Sequence, residues 1–284
     1  MEAPAPAAST AAALLATALR DDPARPLLTF HDDATGERTE LSVATFANWV
    51  AKTANLLQDE VAPEPGQVVT VDLPVHWQAA VWLQACWAAG HPVRLGPAPD
   101  GAQPAAVTVV AHDGSRPAAA AGLPSATVVS LGLGPMGLPR PGVLPAYGHA
   151  LDYDREVHGH GDRFTPLTPP HADDVALLTA GAAFSHAELG ALATSADPLG
   201  GALLVATPLV DLRSVLATVL VPLAAGGRAM LCRHLHRLDP GRLADRVAQE
   251  GLWAVVPARG DTPDGERTVT GVLPEWNGQG PGMA

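Results

Sequence analysis

The chain has 284 residues, 47% of them hydrophobic and 16% charged, enough apolar material to bury a substantial core and too little charge for a disordered chain. Its formal net charge of −12 argues against a nucleic-acid surface, which needs clustered Lys and Arg. Arg dominates the basic residues and Lys52 is the single lysine, a balance typical of a GC-rich bacterial genome of actinobacterial type. Cys86 and Cys232 both fall in apolar segments and read as core thiols. The N-terminus lacks a basic n-region, and the apolar run Val215–Gly227 contains Pro222 and is short for a bilayer span of roughly 20 residues. A cytoplasmic protein with no membrane or nucleic-acid partner is expected.

Residues 1–8 read as an Ala/Pro tail and Ser9–Arg20 as a helix, so that 1–26 precede the main body. Pro26–His31 and Thr39–Val43 form a hairpin around the turn residues Asp32–Arg38. Ser42 caps a helix in which Phe46, Trp49, Val50, Thr53, Leu56 and Leu57 recur on one face, with Lys52 and Gln58 largely off it. Val68–Leu73 is β-branched and suits a buried parallel strand; His76–Ala89 is a helix closed by Gly90, and Val93–Leu95 a short strand. Ala105–Ala111 and Ala126–Leu131 add two internal strands, completing a first α/β half over 27–131.

Gly132–Ala172 is rich in Gly and Pro and reads as a connector, with a short helix within Ala150–Phe164. A second α/β half spans 173–257. Its strands are Val175–Leu178, Ala202–Ala206, Arg228–Cys232 and Leu252–Val256, and its helices Ser185–Ser195, Leu209–Ala225 and Asp239–Glu250. Residues 258–284 form a C-terminal tail in which Thr268–Leu273 adds an edge strand. Alternating β and α elements predict mainly parallel sheets covered by helices.

The stretch Asp174–Leu189 carries the chemistry. A short apolar strand runs into Thr179-Ala180-Gly181, and Ser185 and Glu188 have the Ser-x-x-Glu spacing of a capping box. A strand turning into a helix N-terminus is a place where α/β proteins hold phosphates, because free backbone N–H groups and the helix dipole point there. Gly181 is expected to serve the backbone geometry of the turn, and His186 to be an exposed first-turn histidine.

This stretch resembles a shortened phosphate loop of the acyl-adenylate-forming enzymes, the acyl-CoA synthetases and their relatives. Thr179 and Gly181 match the loop and Ser185-His186 the segment after it, while the Gly- and Lys-bearing middle is missing. The resemblance is most continuous over Leu27–Pro99: Thr39-Glu40-Leu41, the Phe46–Leu57 helix, Pro65-Gly66-Gln67-Val68-Val69, the Trp77–Ala89 helix with Gly90, and Pro92-Val93-Arg94-Leu95 follow the family's order and spacing. It implies the N-terminal portion of the adenylate-forming fold, two βα halves packed together. It also implies Thr179, Gly181 and Ser185 as nucleotide-contacting residues and ATP or AMP with Mg²⁺ as cofactors.

Departures from the family's pattern fall on the parts adenylation needs. Lys52 lies on the wrong helix for a phosphate lysine, Thr207-Pro208-Leu209-Val210-Asp211 stands where the family has an aromatic-His segment, and the later motifs have no counterpart. The leading expectation is a non-catalytic relative of the acyl-CoA synthetases that retains nucleotide or carboxylic-acid binding. Two alternatives stand beside it: an adenylate-forming enzyme completed by a separate polypeptide, and a structural or regulatory protein-interaction module.

Other patterns carry less. His158-Gly159-His160 and His234-Leu235-His236 place two imidazoles on one face if extended, short of the three or four ligands a metal site needs, so no metal is expected. Gly132-Leu133-Gly134-Pro135-Met136-Gly137 has dinucleotide-loop spacing but leads into a Pro-rich segment, which marks it as a loop.

Overall fold

The computed structural model describes residues 10–96, 104–112, 127–139, 150–196 and 202–256. The expectations for 1–8, for 258–284 with its edge strand, and for part of the connector lie outside these residues.

The first helix, α1 (Ala11–Asp21), is capped by the Thr10 hydroxyl, which accepts from the Ala13 N–H. A hairpin follows, β1 (Pro26–Asp32) and β2 (Glu37–Ser42), and Ser42 then caps α2 (Val43–Leu56). The end of α2 widens into a π-turn over Leu57–Val61, and Ala62 leaves it in the left-handed region. Next come β3 (Val69–Asp72), α3 (Trp77–Ala88), β4 (Val93–Leu95), β5 (Val107–Ala111) and β6 (Thr127–Leu131). The connector holds the two-residue strand β7 (Leu151–Asp152) and the single turn α4 (Tyr153–Glu156). The last part comprises β8 (Val175–Leu178), β9 (Ala183–Ser185), α5 (His186–Ser195), β10 (Ala202–Val205), α6 (Leu212–Val215), α7 (Val221–Ala225), β11 (Arg228–Arg233), α8 (Pro240–Glu250) and β12 (Leu252–Val256).

The fold is α/β with two mainly parallel sheets, as the alternation of elements predicts. One sheet has the order β12-β10-β11-β1-β2 and the other β7-β6-β5-β3-β4-β8-β9. Among the described residues only β1–β2 and β8–β9 pair antiparallel. The sheets do not follow the sequence division into 27–131 and 173–257. The β1–β2 hairpin joins the later strands through β1 and β11, from Leu28 opposite Ala229 to Asp32 opposite Arg233, and β8 joins the earlier ones beside β4.

Helix α3 explains this exchange. Eleven of its twelve residues are buried, including Trp77, Trp82 and Trp87, and a helix with apolar residues on every face must be enclosed on every side. It packs against β1 of one sheet and β3 and β4 of the other. Each fully buried large side chain contributes on the order of 1.5–3 kcal/mol. The Trp87 indole N–H also donates to the Ala176 carbonyl at 2.7 Å, fixing β8 to the same helix. Residues Ala229 and Leu231 of β11 and Leu203 and Val205 of β10 face this shared core. Their alternates Met230, Cys232, Ala202 and Leu204 form a second cluster on the outer face with Leu243 of α8. Strand periodicity of two thus buries both faces of β10 and β11.

The expected single helix Leu209–Ala225 is present as one continuous helical run that starts later and contains a π-turn. It begins at Leu212, where Asp211 Oδ1 accepts the Ser214 N–H, and passes through a π-turn at Leu216–Leu220 before α7. Pro222, which cannot donate a backbone hydrogen bond, follows directly on this π-turn, where the regular helical ladder is already interrupted.

Candidate functional site

Strand β8 does not lead straight into a helix. The chain turns through Thr179–Ala182 and comes back as β9, with Leu178 opposite Ala183 and Val175 opposite Ser185. The Thr179–Gly181 turn and the N-terminus of α5 therefore lie at opposite ends of a hairpin, separated by the rise of three strand residues, roughly 10 Å. The sequence reading expects them together; a strand as short as Ala183-Phe184-Ser185 carries no periodicity by which to recognise it.

Of the three residues, Thr179 and Ser185 are engaged within the hairpin. Thr179 sends both its N–H (2.9 Å) and its hydroxyl (3.1 Å) to the Ala182 carbonyl. Ser185 Oγ accepts from the Glu188 N–H at 3.2 Å and donates to Glu188 Oε2 at 2.9 Å, and the Ser185 N–H donates to the same carboxylate oxygen at 2.7 Å. The capping box is thus closed, and these bonds hold the Glu188 carboxyl below its ordinary pKa. The remaining first-turn donors are also used: His186 N–H bonds the Asp174 carbonyl at 3.1 Å and Ala187 N–H the Ala172 carbonyl at 2.9 Å. Gly181 is exposed, has no positive φ, and a Cβ there would meet nothing within 4 Å. Its backbone does not require glycine.

His186 is buried, contrary to the exposed position expected of it. Its ring lies edge-on to Trp87, with centroids 6.3 Å apart, and its Nδ1 has no hydrogen-bond partner. Burial pushes its pKa down, partly offset by Asp174. The capping Ser is local and readable in the sequence, whereas Trp87 reaches His186 from a helix about a hundred residues earlier.

A second constellation sits at the carboxyl ends of β1 and β11, which run side by side. His31 and Asp32 end the first strand and Asp33 follows it; Cys232 and Arg233 end the second and His234 follows it. Buried Asp32 accepts from His234 Nδ1 at 2.7 Å and from the Ala34 N–H at 2.8 Å. Burial alone would raise the Asp32 carboxyl, but these bonds and the charges of His234 and Arg233 outweigh it and hold its pKa below the usual carboxylate range. Asp33 is paired with Arg246 of α8 through two bonds, at 2.7 and 3.0 Å. Arg246 also approaches the Cys232 sulfur at 3.7 Å, yet burial keeps that thiol protonated, its pKa pushed up to about 12. His234 has a left-handed backbone (φ 56°) and Leu235–Arg237 form a turn of 3-10 helix, so the His234–His236 pair is not extended. Among the described residues no group of three or more His, Cys, Asp or Glu side chains converges as a metal site. The sequence signal for this cluster is a polar run directly after each apolar strand; what it lacks is any sign that strands 200 residues apart are neighbours.

No family profile matches the chain. A curated relative, the TIGR03089 family protein of Mycobacterium tuberculosis (strain ATCC 25618 / H37Rv), is 42% identical over 159 residues, 56% of this chain and 63% of that protein. Among solved structures, the Brucella canis acyl-CoA synthetase superposes with a TM-score of 0.70 at 16% identity, covering 92% of this chain and 49% of its own. The ATP-bound RpMatB-BxBclM chimera B3 gives 0.62 at 20% identity, covering 86% of this chain and 48% of its own. The chain thus has an acyl-CoA-synthetase-like α/β fold and spans about half the length of the structures it resembles.

Proposed function

We propose that this chain is a non-adenylating relative of the acyl-CoA synthetases, a cytoplasmic module that keeps their fold without activating a carboxylic acid through residues 179–188. Acyl-adenylate formation joins a carboxylate oxygen to the α-phosphorus of ATP and expels pyrophosphate. It depends on amide donors and cations aimed at the phosphates as charge builds on them. The observation that carries the reading is the hairpin's closure: the Thr179 N–H and hydroxyl, the Ser185 hydroxyl and the first amides of α5 all bond within the protein. Lys52, the single lysine, is tied to the His160 carbonyl and lies on α2, outside the hairpin. One of the structural neighbours is ATP-bound, which makes Mg-ATP the nucleotide to test.

The test is ATP–pyrophosphate exchange by the purified chain with a panel of carboxylic acids, beside the thermal shift with Mg-ATP and AMP. No acid-dependent exchange is expected, and a nucleotide shift without exchange identifies a binding module. Acid-dependent exchange that disappears in Thr179→Ala would overturn the proposal. Exchange that arises only on adding a second polypeptide would replace it with an enzyme completed in trans.

A further inference from the structure

A cleft of about 590 Å³, within the size range of small-molecule sites, runs between the β1–β2 turn and the flank of α8. Its walls belong to the five-stranded sheet and α8, whereas the 179–185 hairpin belongs to the other sheet, so what binds here is independent of whether adenylates form.

Five carboxylates and four guanidiniums line the cleft, so a plain anion gains no net attraction there. Nearly all of these charges are matched within the protein. Asp32 accepts from His234 Nδ1 at 2.7 Å, Asp33 from both terminal nitrogens of Arg246, and Glu37 from the Thr39 hydroxyl at 3.4 Å. Glu250 bonds Arg228 at 3.0 Å, Arg38 bonds Glu40 at 2.7 Å, and Arg242 meets Asp239 at 3.5 Å. Two lining charges are left over. Arg237 and Asp245 are both exposed, and neither has an ion pair or side-chain hydrogen bond among the described residues.

These two groups are opposite in sign and line one cleft, yet they do not pair with each other. A molecule that carries both an ammonium and a carboxylate can satisfy both at once, whereas an ion of either single sign leaves one of them unmatched. We propose that this cleft binds a small zwitterion, an amino acid with free ammonium and carboxylate groups. Arg237 holds the carboxylate, which its planar guanidinium fork suits, and Asp245 accepts from the ammonium. Gln249, one helical turn along α8 from Asp245, offers an amide to the rest of the ligand. The Asp33–Arg246 pair fixes the wall between the β1–β2 turn and α8.

The experiment is calorimetric titration of the full chain with glycine and, separately, 4-aminobutanoate, beside acetate and ethylammonium as ions that carry one charge each. Saturable binding of at least one zwitterion is expected, about tenfold tighter than either single-charge ion, since each of those forfeits one charged hydrogen bond. Arg237→Ala and Asp245→Ala should each weaken it by about the same tenfold. Arg237→Asp or Asp245→Arg alone should abolish binding, and the two together should restore it, because a zwitterion can turn end for end. Both side chains are exposed, so these variants keep the fold, and equal thermal midpoints confirm it. Absence of saturable binding by either zwitterion, equal binding of a single-charge ion, or a double reversal as weak as the single ones would overturn the proposal.

Discussion

Lys52 Nζ donates to the carbonyl oxygen of His160 at 2.6 Å, across 108 residues of sequence. One turn on, Asn55 donates to the carbonyls of Gly161 and Arg163, both at 2.9 Å, and Gln58 Oε1 accepts the Leu167 N–H at 2.9 Å. The outward face of α2 and the π-turn after it thus hold the connector by bonding its backbone, with Glu60 adding a 2.9 Å contact to the His160 ring. Tyr153 and Val157 anchor the connector in the core, but residues 158–167 are mostly exposed, and there polar side chains at helical spacing take that part. Replacing Lys52 by Met, which keeps the stem and removes the ammonium, should cost about 1.5–3 kcal/mol, because it leaves the His160 carbonyl without a charged donor. Urea denaturation of the two proteins measures the difference. A loss below about 0.5 kcal/mol, the scale of an ordinary surface substitution, would show that the ammonium does not hold the connector.

Gly181 and Gly137 make opposite predictions. At Gly181 the backbone has no positive φ and a Cβ meets nothing within 4 Å, so Gly181→Ala should stabilise the fold by about 0.4–1 kcal/mol by restricting the unfolded chain. At Gly137 φ is +67° and a Cβ would stand 2.6 Å from Trp49 Cη2, itself packed on Trp77 at 5.0 Å between ring centroids. Gly137→Ala should therefore destabilise by about 1–3 kcal/mol, from the left-handed backbone and the overpacking together. Denaturation midpoints of the two variants give both signs in one experiment. Loss of stability in Gly181→Ala would mean that the turn is tighter than a plain hairpin.

The contrast between these glycines shows where the sequence is legible. Strands β3, β5 and β6 stand out because a parallel strand buried on both faces must be a β-branched run, and α2 and α3 because helical spacing is local. The capping box at Ser185–Glu188 is local too, and the structure closes it. What escapes is decided at a distance. Nothing within β1 specifies β11 as its neighbour, and so the Asp32–His234 contact, 202 residues apart, has no sequence signature. The resemblance of Thr179 and Gly181 to a phosphate loop is one of residue types; their geometry depends on β9, three residues too short to announce themselves. Lys52 is readable as a residue off the apolar face, but the carbonyl it holds is not.

His186 gives a pH-dependent prediction. It is 1% exposed, its Nδ1 is unpaired, and burial lowers its pKa below the ordinary 6.5 despite Asp174. His91 is shifted in the same direction by burial, offset by its bond to the Gln67 carbonyl. A histidine kept neutral in the fold binds its proton more readily once unfolded. Its contribution to stability is complete above pH 6.5 and is lost as the pH falls from there through the lower folded pKa. Each such group can add a slope of up to about 1.4 kcal/mol per pH unit. His186→Leu removes one titrating group and an orphaned nitrogen while filling the space against Trp87. The variant should match the parent at neutral pH and fall away less steeply below pH 6.5, as read by urea denaturation across a pH series. Identical slopes would mean that the ring gains a proton without opening the core, and that the edge-on packing against Trp87 tolerates the imidazolium.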